Sequence, residues 1–127
     1  MSNVQDTTAD LEKLMIAVRA ASARKALDMK AIDIRKIASF AEYFLICSGT
    51  STRQVQAIAD EVTDKLREER DSRPLHVEGY EAGTWVLLDY GDLIVHVFTD
   101  ESRGFYQLER LWRDAESVPL PEELTQQ

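Results

Sequence analysis

Long apolar runs are missing from this chain, and histidine and cysteine are scarce, with two and one respectively. The single thiol, Cys47, closes no intramolecular disulfide. The opening stretch MSNVQDTTAD has neither the basic nor the apolar block of an export signal, so a cytoplasmic location is the expectation. No stretch approaches the roughly 18 apolar residues of a transmembrane helix, and no membrane partner is expected. Positive charge is also short: 15 Lys and Arg stand against 23 Asp and Glu, a net charge of -8. Binding driven by phosphate neutralisation normally shows a basic stripe, so direct DNA binding is not expected. A basic partner suits this balance better. One Cys and two scattered His do not supply the three or four closely spaced ligands of a zinc site, and no metal or cofactor is expected.

What is present suffices for one core. At 127 residues, 44% hydrophobic and 30% charged, the chain fits a single folded domain and not a disordered one. The domain is expected over 1–114, with 1–10 polar and frayed. The stretch 115–127 contains Pro119, Pro121 and three glutamates without a basic residue, and reads as a disordered acidic tail.

Leu11, Leu14, Met15 and Val18 recur at helical spacing and predict a helix that ends near Asp28. Over 30–37, Ile32 and Ile34 alternate with Asp33 and Arg35, the period-two pattern of a half-exposed strand near a sheet edge. The run 43–47, Tyr-Phe-Leu-Ile-Cys, is apolar throughout and predicts a central strand covered on both faces. A helix follows from Ser51, which with Gln54 forms a capping-box pattern, to about Asp71. After a weak strand at 75–77, the stretches 84–88 and 93–98 flank Asp89-Tyr90-Gly91-Asp92 and predict an antiparallel hairpin. From Ser102 a short helix places Phe105, Leu108, Leu111 and Trp112 on one apolar face. The fold class is therefore α/β, mixed α+β, with one mixed sheet flanked by helices.

Three patterns invite a catalytic reading. Cys47 with His76 or His96 is a possible thiol and base, but a free cysteine ending an apolar strand usually packs as a small hydrophobe. Ser48-Gly49-Thr50-Ser51 at a strand-to-helix junction outlines an anion-binding turn, yet has neither P-loop lysine nor dinucleotide glycines; a tight turn with a helix cap explains the same residues without a ligand and is the favoured reading. Asp89 and Asp92 could pair on a divalent cation, although Asp and Gly are the ordinary residues of a tight turn. The large aromatics, by contrast, gather in the last third of the chain, where Tyr106 falls off the apolar stripe beside Arg103. Trp, Tyr and Arg are the residue types favoured at interface hot spots.

The segments YFLICSGTSTRQ (43–54), Glu78-Gly79, WVLLDYGDLIVHVF (85–98) and SRGFYQLERLW (102–112), in this order, resemble the ribosome silencing factor family, also called the Iojap family. The resemblance covers nearly all of 11–112 and departs at Gly104, where members more often carry a larger residue. It implies a nucleotidyltransferase-like fold without that catalytic activity. It also implies binding to the large ribosomal subunit through ribosomal protein L-fourteen, which blocks joining of the subunits and represses translation, and a homodimer when free. Carried over to this chain, the partner-binding positions are Trp85, Arg103, Tyr106 and Leu108, with Asp89 and Asp92 as polar supports. An active nucleotidyltransferase and a large-subunit assembly factor are the alternatives.

Overall fold

A computed structural model describes residues 3–125, with side chains over 10–124. A six-stranded mixed sheet runs in the order β3-β4-β5-β2-β1-β6. Its strands are β1 (Leu27–Asp33), β2 (Tyr43–Gly49), β3 (His76–Glu78), β4 (Trp85–Asp89), β5 (Leu93–Thr99) and β6 (Glu116–Val118). The helices are α1 (Asn3–Ala23), α2 (Thr52–Arg70), α3 (Asp100–Tyr106), α4 (Leu108–Leu111) and α5 (Glu122–Thr125). The β2–β5 pair is parallel and the other pairings are antiparallel.

β2 is central, as its unbroken apolar run requires. Every residue in it is buried between β1 and β5. Because side chains alternate along a strand, β2 feeds two cores. Tyr43, Leu45 and Cys47 join the cluster under α1 and α2, whereas Phe44 and Ile46 join a smaller cluster on the opposite face. The large helices cover the first face with Leu14, Val18, Val55, Ile58, Val62 and Leu66. Among the described residues, the second face is covered by the short α3 and α4 and by the irregular segments around 38–41 and 112–115, with no long helix.

α2 starts and stops where its caps dictate. Ser51 Oγ accepts from the Gln54 backbone N–H at 3.1 Å. Gln54 does not reach back to Ser51 in a full capping box. Its Oε1 accepts from Thr50 N and Oγ1, and its Nε2 donates to the carbonyls of Arg24 and Lys25 beyond the end of α1. At the other end Asp71 turns left-handed and its N–H closes onto Arg67 O.

α1 ends at Ala23 and not near Asp28. Lys25 and Asp28 take positive φ, and β1 begins at Leu27 with an irregularity before Lys30. β1 also stops at Asp33, short of Ile37, because Arg35 N–H donates to Asp33 Oδ1 and the chain turns. β1 lies next to the sheet edge, as its alternating pattern leads one to expect, and the edge itself is formed by β6, which pairs with Ala31, Ile32 and Asp33. Thus part of 115–127 is a strand and a helical turn, with Val118, Leu120 and Leu124 packed on the larger core. Three residues of strand are too few for alternation to be legible in a sequence. The fraying expected over 1–10 lies largely outside the residues whose side chains are described; the backbone is helical from Asn3.

One helical periodicity also misleads. A single helix from Ser102 would bury Phe105 and Leu111, but Gln107 is left-handed (φ 51°) and divides the segment into α3 and α4. The 3.6-residue phase restarts there. Leu108 remains in the core, while Phe105 is 79% exposed and Leu111 is exposed as well.

Candidate functional site

The thinly covered sheet face collects the aromatic residues. Register places Trp85 opposite Phe98 and Leu87 opposite His96, and the parallel pairing sets His96 beside Ile46 and Ile94 beside Phe44. These side chains therefore share a face. Trp85 stacks on Phe98 with ring centroids 4.9 Å apart, and Tyr106 of α3 leans on Trp85 at 4.8 Å. The row continues through His96 to Phe44 (4.8 Å) and on to Trp112 and Phe40. Tyr106 is 51% exposed and Trp85 half-buried, so the row is rooted in the core and open at this end. A cleft of about 200 Å³ beside it is lined by Glu78, Gly79, Trp85 and Leu87.

The loop that delivers Trp85 is fastened to α2. Tyr80 Oη donates to Asp60 at 2.9 Å, and Gln56 Nε2 donates to Tyr80 O at 2.8 Å. On the other side Arg103 fastens α3 and α4. Its Nη1 donates to Ser48 Oγ at 2.8 Å, and its Nε and Nη2 donate to Glu109 Oε2 at 3.1 and 2.8 Å. Burial opposes the Glu109 charge, but the guanidinium holds its carboxyl below the usual range. With 13% of its side chain exposed, Arg103 points its donors inward.

Trp85, Arg103, Tyr106 and Leu108 are thus brought together, in different capacities. Trp85 and Tyr106 reach the surface, Leu108 is buried beneath, and Arg103 ties the helices to the sheet. Asp89 lies at the far end of β4, where its Oδ1 accepts from Gly91 N–H at 2.8 Å and shapes the hairpin turn. Asp92 turns to α1 and takes Lys13 Nζ on both oxygens, at 3.0 and 3.1 Å. Sequence reasoning missed His96 and Phe44 as parts of the aromatic row. Their signal is the two-residue spacing on neighbouring strands, which becomes informative only once the register is known.

The catalytic patterns do not assemble. Cys47 faces the α1–α2 core and His96 the opposite side, so the sheet separates them. Burial also pushes the Cys47 thiol up to about 12. Around 48–51, Ser48 Oγ is engaged by Arg103, Ser51 caps α2, and Thr50 is engaged by Gln54. Among the described residues, no group of three or more His, Cys, Asp or Glu side chains could hold a metal ion. Nor is any described helix long and apolar enough to cross a membrane.

Comparison with known proteins decides the family. A model of the family described as ribosomal silencing factor during starvation matches residues 7–127. The chain belongs to this ribosomal silencing factor family. It is 45% identical over 109 residues to ribosomal silencing factor RsfS of Halalkalibacterium halodurans, covering 86% of this chain and 92% of that protein. It is 44% identical over 107 residues to RsfS of Bacillus subtilis, covering 84% and 90%. A crystal structure of a Chromobacterium violaceum protein superposes with a TM-score of 0.79 at 34% identity, covering 88% of this chain and 91% of that one. A more distant relative, mouse mitochondrial assembly of ribosomal large subunit protein 1, is 30% identical over 81% of this chain and 45% of its own length. The family's bacterial relatives are named as silencing factors and not as enzymes.

Proposed function

We propose that this silencing factor acts in the cytoplasm by binding ribosomal protein L-fourteen on the large subunit with the face centred on Trp85 and Tyr106. Docking there blocks joining of the small subunit and represses translation, with no reaction catalysed. The observation that carries this reading is the contacting pair Trp85 and Tyr106, left open to solvent on a sheet face that is packed beneath them. Rigid aromatic anchors above a packed base are the usual composition of an interface hot spot. The net charge of -8 is complementary to a basic ribosomal protein and favours fast, salt-sensitive encounter. The free protein is a homodimer in this reading, which light scattering tests directly.

The deciding experiment is sedimentation of purified large and small subunits with the protein and no nucleotide. Binding to large subunits alone, with fewer joined ribosomes as protein is added, is the expected result. Unchanged joining at saturating protein, or inhibition that requires hydrolysed ATP or GTP, overturns it.

The name of the mouse relative favours a second reading, assembly of the large subunit. Cells lacking the protein separate the two. Accumulating large-subunit precursors support assembly, whereas mature subunits that keep translating in starvation support silencing.

A further inference from the structure

His96 is the one buried histidine, 4% exposed, and it sits in the middle of the aromatic row. Its Nδ1 lies 3.2 Å from Trp85 Nε1. An indole N–H can only donate, so Nδ1 must be the unprotonated acceptor and the imidazole proton must sit on Nε2. Nε2 is buried and, among the described residues, has no hydrogen-bond partner. Burial pushes the imidazole pKa down to about 4, so the ring is neutral around pH 7 and Nδ1 keeps its lone pair.

This arrangement is a poor one for stability alone. Phe44, Ile46, Leu87, Ile94 and Phe98 surround the position on the same face, and an aliphatic residue there would leave no buried N–H unpaired. Trp85, being half exposed, could satisfy its indole with water. The bond to His96 therefore adds little to folding, but it removes the indole's freedom to rotate. It complements the stacking of Trp85 on Phe98 (27° between planes) and against Tyr106, neither of which fixes the direction of the N–H.

We propose that His96 is a positioning residue for partner binding: its Nδ1 holds the Trp85 indole in the single orientation that presents it, beside Tyr106, to the partner. The proposal rests on the reading of this face as the subunit-binding surface. Pre-ordering an anchor side chain lowers the entropy lost on docking, so the effect belongs to affinity and not to the fold.

The test pairs binding with a direct view of the indole. The chain has two tryptophans, so its amide spectrum carries two indole N–H resonances, and Trp85→Phe assigns them. In His96→Leu the Trp85 resonance should move to the position of a water-exposed indole and exchange faster. Binding to large subunits should weaken by up to about tenfold, the scale of immobilising one large side chain on docking, while the thermal midpoint stays level or rises. His96→Asn places an amide oxygen close to where Nδ1 was. It should lower the midpoint yet keep both the resonance and the affinity near wild type, so stability and binding change in opposite order in the two variants. A double-mutant cycle covers a poorly folding His96→Asn: adding His96→Leu to Trp85→Phe should cost no further affinity if His96 acts through Trp85. Wild-type affinity in His96→Leu, an unmoved Trp85 resonance, or additive losses in the cycle overturn the proposal. A wild-type protein that fails to bind large subunits overturns the surface assignment, and the indole resonance then still decides separately whether His96 positions Trp85.

Discussion

Gly79 lies so close to the backbone carbonyl of Trp85 that a β-carbon on it would overlap the oxygen, and its φ of +78° is a left-handed conformation. Both facts require glycine there. Gly79→Ala must push Trp85 and the start of β4 away from the loop, so it should destabilise the protein by more than about 1 kcal/mol. It should also weaken subunit binding, because the anchor strand moves. Urea unfolding and large-subunit co-sedimentation of the same variant read the two effects.

Asp10 on α1 faces Glu42, from the β1–β2 link, and Asp92, from the hairpin turn. Burial first, then its hydrogen bonds with these two carboxylates, raises its pKa from 3.8 to about 8. Between those values the folded protein holds a proton that the unfolded chain has lost, so this group makes stability fall as pH rises. Lys13 compensates only Asp92 directly. Asp10→Asn keeps a neutral hydrogen-bonding group in place. Thermal midpoints from pH 4 to 9 should show the variant gaining on the wild type with rising pH and levelling off above about 8. A constant difference across this range would contradict the shared-proton arrangement.

Gly104 sits on α3 with nothing within 4 Å of where a β-carbon would be. Gly104→Ala adds no clash and removes the backbone entropy that glycine carries in a helix. It should stabilise the protein by about 0.5–1 kcal/mol and leave the fold unchanged. Thermal or urea unfolding checks it.

The long elements were legible in the sequence because their periodicities are uninterrupted. The apolar run 43–47, the Ser51 cap and the Asp89–Asp92 turn each carry their own local cause, and each is present in the structure. Features that depend on pairing were not legible. β6 is held by backbone bonds to β1, which leave no mark on the identity of Glu116 or Ser117. The left-handed Gln107 breaks the phase of the last helical segment without a glycine or proline to announce it. At the site, Trp85, Tyr106 and Trp112 lie in one aromatic row while Tyr80 and Tyr90 pack on the other face, and residue type alone does not tell an outward guanidinium from one turned into Ser48 and Glu109.

The tail therefore has a testable structural role. Removing residues 115–127 strips β6 from β1, leaving β1, still paired with β2, as an open sheet edge at Ala31, Ile32 and Asp33, and uncovers the surface against which Val118, Leu120 and Leu124 pack. An exposed strand edge of this kind promotes association. The truncated chain should unfold at lower temperature and aggregate more readily than the full chain, as measured by scanning calorimetry and light scattering. Equal midpoints would mean that the tail adds nothing to the core.

Arg103 and Tyr106 lie three residues apart on α3 and have the side chains expected of a hot spot, yet their surroundings assign them different consequences. Tyr106 is half exposed and leans on Trp85, with little packed on its outer side. If the proposed L-fourteen interface holds, Tyr106→Ala should weaken that binding by at least about 2 kcal/mol, roughly thirtyfold, with little change in thermal midpoint. Arg103→Ala leaves Ser48 Oγ buried without its donor and Glu109 without its countercharge, and frees α3 and α4 from the sheet. Loss of a partly buried charged hydrogen-bond network destabilises by about 1–3 kcal/mol, so this variant should lose stability and binding together. Titration of purified L-fourteen alongside thermal unfolding separates the two patterns. If Arg103→Ala weakened binding as much as Tyr106→Ala without lowering the midpoint, the guanidinium would have to leave Ser48 and Glu109 to meet the partner directly.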